Sequence, residues 1–245
     1  MLDDLMNYVG ALGLDKHRAH LSRIARPSVE ILVANTPPTT GCSKFGGTPD
    51  LPAGFEWPHH KLGPYRFIGQ FHLGDLPAGP LCLPETGLLS FFYAHDDEGE
   101  SFWGDPDYVR AYRFDRLDVL EPAEPPEAVR FGATTTLSFQ LGADVPPWPW
   151  DDAVIEHWPI SEDQQDAYWE LRCKLHPSGR YLGGYPFNTS LAYDPTPGPE
   201  WRSLLTLASD RDLAWCWHDD DWLVTFIEEQ RLQSTDFSRI QSDAG

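Results

Sequence analysis

The sequence predicts an α+β protein: a β-rich single domain over residues 1–245, built from two related sheet-containing halves, with a helical segment at the N-terminus and a second helix in mid-chain. Three observations carry that expectation. Twenty-three prolines and twenty glycines punctuate short apolar runs, a texture that favours a turn-rich sheet protein over a helix bundle. Hydrophobic residues make up 41% of the chain and aromatics 13%, which excludes a disordered protein and suffices for a sizeable core. Finally, three landmarks of the first half return in the same order in the second.

Leu2, Leu5, Met6, Val9, Leu12, Leu21 and Ile24 fall at roughly helical spacing, broken near Gly10 and Gly13, so one or two helices are expected over about residues 2–25. SVEILVAN (Ser28–Asn35) follows as a strand, and RFIGQFHL (Arg66–Leu73) and GLLSFFYA (Gly87–Ala94) have the composition of two more. His95–Asp107 reads as an acidic loop without the ordered acids of an EF-hand. YVRAYRF and LDVLE continue as strands, and TTLSFQLGAD (Thr135–Asp144) alternates with period two. VPPWPWDDAVIEHWP is too rich in proline for a central strand and belongs near the surface, with Trp148, Trp150 and Trp158. Ser161 and Gln164 make an S-x-x-Q capping box opening a helix over about 161–174, with Tyr168, Trp169, Leu171 and Leu175 on its buried side.

The repeat emerges from the turns. Gly46-Gly47-x-Pro49 returns as Gly183-Gly184-x-Pro186, 137 residues on. RFIGQF is matched by RSLLTL at Arg202–Leu207 after 136 residues, and GLLSFFY by DWLVTFI at Asp221–Ile227 after 134. Near-constant offsets imply an internal duplication, with pseudo-repeats over about 28–141 and 161–241. The glycine pairs are read as structural turns, permitting positive φ while the neighbouring prolines fix the exit. A phosphate cradle would need a helix directly after the glycines. Here Lys44 precedes them and the prolines of TPDLPAG preclude that helix.

Charge narrows the partners. Eighteen basic against thirty-eight acidic residues give a formal net charge of −20. Such a surface repels nucleic-acid backbones and anionic membranes and attracts a basic protein. Cys42, Cys82, Cys173 and Cys216 form no C-x-x-C pair, the N-terminus carries acids where a signal peptide carries positive charge, and no run is apolar enough to span a bilayer. A cytoplasmic protein with free thiols, no nucleic-acid or membrane partner and no cofactor is expected.

SKFGGTPDLPAGFEWP, then FIGQFHL and GLLSFFY, together with the later LGGYP, LLTLASD, WCWHDDDWLVTFI and DFSRI, resembles the YwqG-like family, a bacterial domain of unknown function. The resemblance covers most of 42–240 and implies an α+β fold of two related halves. Thr206 stands where the family tends to have glutamine, and Trp217-His218-Asp219 replaces a W-G-D turn. The family implies no reaction.

Only the first repeat carries Lys44, Asp50, Trp57 and His59-His60 beside its glycines. WCWHDDDW (Trp215–Trp222) reads as a hairpin with an acidic tip, and its His218 and Asp219 are weak cation candidates because neighbours on a strand face opposite ways. No G-x-S-x-G, H-E-x-x-H or recognisable cysteine nucleophile occurs, and His17-x-x-His20 reads as incidental on an exposed helix. The expected function is a non-enzymatic acidic binding protein, toxin-neutralising or otherwise directed at a basic protein. The alternative is a hydrolase or small-molecule-binding enzyme with a cleft between the halves, for which Lys44, Asp50, Trp57, Gln70, Trp217 and Asp219 are the binding candidates.

Overall fold

The structure, a computed structural model, describes residues 1–96, 100–130, 132–149 and 152–245. Helix α1 (Leu2–Ala11) buries Leu5 and Val9, and α2 (Arg18–Ile24) buries Leu21. Gly13, at φ +70°, makes the break between them, whereas Gly10 stays inside α1. His17 is buried in the intervening turn, with Nε2 3.0 Å from Gln164 Oε1, so it is a packing residue and not an incidental exposed histidine.

Strand β1 (Arg26–Ala34) leads into β2 (Lys44–Phe45), and a short β3 (Asp50–Pro52) follows the first glycine pair. A two-residue ribbon, β4 (His59–His60) with β5 (Gly63–Pro64), precedes β6 (Arg66–His72), β7 (Leu88–Tyr93) and β8 (Val109–Phe114). LDVLE is a strand only in part: Leu117–Val119 is a 3₁₀ turn, and β9 (Leu120–Pro122) pairs with β3. Then come β10 (Thr135–Asp144), the short α3 (Asp152–Ile155) and α4 (Gln165–Leu175). β11 (Arg180–Gly183), β12 (Trp201–Ala208), β13 (Trp222–Glu228), α5 (Glu229–Gln233) and β14 (Gln241–Ala244) complete the chain.

Among the described residues, ten strands form one antiparallel sheet in the order β14-β13-β12-β11-β1-β10-β2-β6-β7-β8. It curls into a nearly closed barrel. Across the seam, Arg113 of β8 donates to Thr235 Oγ1, and Ser242 of β14 donates to the Trp103 carbonyl. The sheet is centred on β1 and β10, paired from Arg26↔Asp144 to Ala34↔Thr136. Outside each lies a four-strand run opened by the other part of the chain: β11 pairs with β1, and β2 with β10. Val29, Ile31, Phe45, Phe71, Leu205 and Trp215 share the barrel core, while α1, α2 and α4 cover a second core containing Ala143, Val145, Tyr168 and Leu171.

Three local expectations are corrected. The Ser161 hydroxyl caps no backbone N–H; it meets the Gln164 side chain at 3.3 Å, and a 3₁₀ turn, Glu162–Gln164, precedes α4. Trp169 is exposed and Arg172 takes the buried face. The Trp215–Trp222 segment is not a hairpin, because β13 returns along β12 and β14 while Trp215 and Trp217 fold inward from a long connection. Trp150 and residues 97–99 of the acidic loop lie outside the described residues.

The first glycine pair has φ +61° and +63°, and a Cβ on Gly46 would lie 2.5 Å from the Ala133 carbonyl oxygen. Gly54, at φ +77°, has nothing within 4 Å of the same position. Gly46→Ala should therefore cost at least ~2 kcal/mol and Gly54→Ala about 1 kcal/mol. Denaturant midpoints measure the difference, and equal losses would contradict the close-approach explanation.

Candidate functional site

Three of the six sequence candidates meet. The β2–β6 register places Lys44 opposite Gln70, and β3 brings Asp50 alongside. Lys44 Nζ lies 2.9 Å from Asp50 Oδ2, which also accepts from Gln70 Nε2 at 2.6 Å and from the Gly41 N–H at 2.9 Å. Gln70 Oε1 accepts from the Asp50 N–H at 2.9 Å, and Nε2 also donates to the Cys42 carbonyl at 2.9 Å. Side-chain exposure is 7% for Lys44 and 1% for Asp50. The pair thus tethers the loop carrying the first glycine turn to the sheet through Asp50 Oδ2, while Asp50 Oδ1 is buried without a hydrogen-bond partner in the protein.

Trp57, Trp217 and Asp219 lie elsewhere. Trp57 donates Nε1–H to the Tyr65 carbonyl and packs edge-on against Phe92. Trp217 is buried between Tyr93 and Trp215. Asp219 stands on an exposed tip, 3.9 Å from His218 Nδ1. Among the described residues no cluster of three or more His, Cys, Asp or Glu side chains suits a metal ion.

A second buried network lies beneath the Gly183-Gly184 turn, and the sequence reading missed it. Glu30 points away from the barrel core between Val29 and Ile31. Its Oε2 is 3.0 Å from His176 Nδ1, and Oε1 accepts from the Ser178 N–H at 2.7 Å. His176 Nε2 lies 3.4 Å from Asp144 Oδ1. Asp144 Oδ2 accepts from the Tyr185 N–H at 2.8 Å, and Arg172 donates to the carbonyls of Val145 and Pro186. Tyr181 stacks on the imidazole at 3.7 Å. The readable signal was a lone glutamate within the apolar strand SVEILVAN, which needs a buried partner if the strand is central.

Burial opposes ionisation of Asp144, but His176, Arg172 and the Tyr185 N–H hold its carboxyl below the ordinary carboxylate range. Burial likewise disfavours the imidazolium, yet Asp144 and Glu30 raise His176 above the ordinary imidazole value. The Asp144 contribution is complete above the ordinary carboxylate range and is lost as pH falls through its lowered value. The His176 contribution is complete below the ordinary imidazole value and is lost as pH rises through the raised one.

Two adjoining clefts open beside this network. The first, about 280 Å³, lies where Pro27, the Pro80–Leu83 loop, Gly183-Gly184, β12 and α5 converge. The second, about 770 Å³, is lined by Trp148, Trp158, Tyr185, Trp201 and several prolines. Arg26, Arg202 and Ser203 border both. None of the six sequence candidates lines either cleft, whereas Gly183 and Gly184, read only as a turn, line the first.

A nearly closed antiparallel barrel of the α+β class, with a buried charged network beside each glycine turn, is thus the class of protein. The chain belongs to the DUF1963 family, a domain of unknown function, whose sequence profile matches residues 43–243. No curated protein matches the chain. No helix among the described residues is long and apolar enough to cross a membrane.

Two predictions follow from the networks. Lys44→Met should cost about 3–5 kcal/mol by leaving Asp50 buried without its cation, and Lys44→Met with Asp50→Leu should cost less than the sum of the singles. Additive losses in denaturant titrations would refute the coupling. Stability followed against pH should decline on the alkaline side as His176 loses its proton, and His176→Gln should reduce that decline while lowering neutral-pH stability by about 3 kcal/mol. An unchanged alkaline limb in the variant would rule out His176 as its source.

Proposed function

We propose that this protein is a non-enzymatic binding protein of the cytoplasm, a YwqG-like member of its family, whose acidic surface engages a basic protein partner. The observation that carries the reading is the formal net charge of −20, combined with carboxylates that are exposed to solvent and only loosely paired. Asp219 is 98% exposed at the side chain and Asp220 62%, beside each other on the β12–β13 connection. The buried acids Asp50 and Asp144 are occupied within the fold, so recognition falls to the exposed ones. A field of this sign accelerates encounter with a basic partner and disfavours nucleic acid.

An internal duplication with exchanged leading strands underlies this scaffold in our reading. Its support is the correspondence between the runs β10-β2-β6-β7-β8 and β1-β11-β12-β13-β14. Each run has a positive-φ glycine pair at the end of its second strand, directly after β2 and across the last residue of β11. Each also has a register shift between its third and fourth strands, at Phe67/Gly69 and at Ser203/Leu205. Lys44 lies opposite Gln70 as Tyr181 lies opposite Thr206. Superposition of the runs should bring the glycine pairs together, and failure to overlay them removes the duplication.

A second reading, a small-molecule site between the halves, is favoured by the 280 Å³ cleft, to which the Pro80–Leu83 loop and the Gly183-Gly184 turn both contribute. Affinity capture from native lysate at low salt, repeated at high salt, tests the first reading. A specific basic partner that salt releases is expected; no specific partner at either ionic strength counts against it.

A further inference from the structure

We infer that the 280 Å³ cleft takes an amphipathic anion, its apolar body lying against Leu81, Leu83, Leu204 and Leu232 and its anionic head on Arg26. The inference rests on reading that cleft as a ligand site. Arg26 is exposed, holds its guanidinium carbon 4.1 Å above the Tyr185 ring, and has no carboxylate partner among the described residues. The other arginine of the cleft, Arg202, is neutralised by Glu229 and donates to the carbonyls of Pro199 and Trp201. One uncompensated cation therefore marks a mostly apolar cleft, whose other charged groups, Arg202 and Glu229, are paired with each other. Ser203 supplies an independent sign: it lines the same cleft, is only 8% exposed, and its hydroxyl has no hydrogen-bond partner in the protein. A buried hydroxyl of this kind calls for a polar atom from elsewhere.

The surrounding charge defines the ligand further. A net charge of −20 disfavours small hydrophilic anions, so an anion is retained only if its apolar body contributes most of the affinity. Each buried methylene strengthens binding about fourfold, while the arginine selects the head group. Arg26 is held for that role from below. Its stacking partner Tyr185 donates its N–H to Asp144 and its hydroxyl to the Ile24 carbonyl, so the ring is fixed at both ends.

Octanoate, octylammonium and octanol, titrated calorimetrically into the full chain, separate tail from head. Octanoate should bind at least about tenfold more tightly than the other two, and Arg26→Ala should abolish that preference while leaving octanol binding unchanged. Cys82 lines the same cleft and is exposed, giving a site-specific readout. In a Cys173→Ser/Cys216→Ser chain, octanoate should slow alkylation of Cys82 by N-ethylmaleimide several-fold. Equal binding of the three probes, with Cys82 protected, would overturn the anionic head and leave the cleft as an apolar site. No binding, or no protection of Cys82, would overturn both.

Discussion

The nine-residue antiparallel pairing of β1 with β10 is the interaction on which the rest depends. It joins the two strand runs into one sheet, and each of its strands also receives the first strand of a flanking run. Its alternation sends Val29 and Ile31 into the barrel core and Glu30 to the opposite face. At one end, Arg26 opposite Asp144 sets the border of the clefts and an anchor of the buried network within one pair of residues. A one-residue slip would move every one of these side chains to the wrong face.

Both glycine turns lie against a buried carboxylate network, but the chemistry differs. Beside Gly46-Gly47 a lysine and a glutamine converge on one carboxylate oxygen of an aspartate, with hydrogen bonds of 2.9 and 2.6 Å. Beside Gly183-Gly184 a histidine lies between two carboxylates while an arginine fastens the neighbouring carbonyls. Buried ion pairs contribute little net stability over an apolar replacement, and breaking one is costly. Their physical effect here is to fix turn geometry. On the second side that fixed geometry is also the wall of an open cleft, so the more conspicuous sequence motif holds the fold and the plainer glycine pair borders the space a ligand can reach.

Much of the fold was legible because strand composition and period are local properties. RFIGQFHL and TTLSFQLGAD lie where β6 and β10 lie, and Gly13 separates the two N-terminal helices. The helix-start motif at Ser161 misled because the Gln164 side chain is engaged by His17, 147 residues away, and by the serine hydroxyl. WCWHDDDW misled because the tryptophans are drawn into the barrel core, which overrides the local tendency to pair as a hairpin. Of the candidate site, Lys44, Asp50 and Gln70 were found together, but as a closed knot. The clefts were invisible because they are assembled from Arg26, Leu81, Gly183, Arg202 and Leu232, which share no spacing. Glu30, a lone charge within an apolar strand, was a residue whose chemistry contradicted its surroundings.

The seam between β8 and β14 is joined by the side chains of Arg113 and Ser242. Side-chain latches exchange with water more readily than a backbone ladder, so transient opening of the barrel should begin along this line. The exposed border would be short, since β14 has only four residues and little room to template another strand. Breathing at the seam would therefore give proteases an entry point before it gave neighbouring molecules a surface for aggregation.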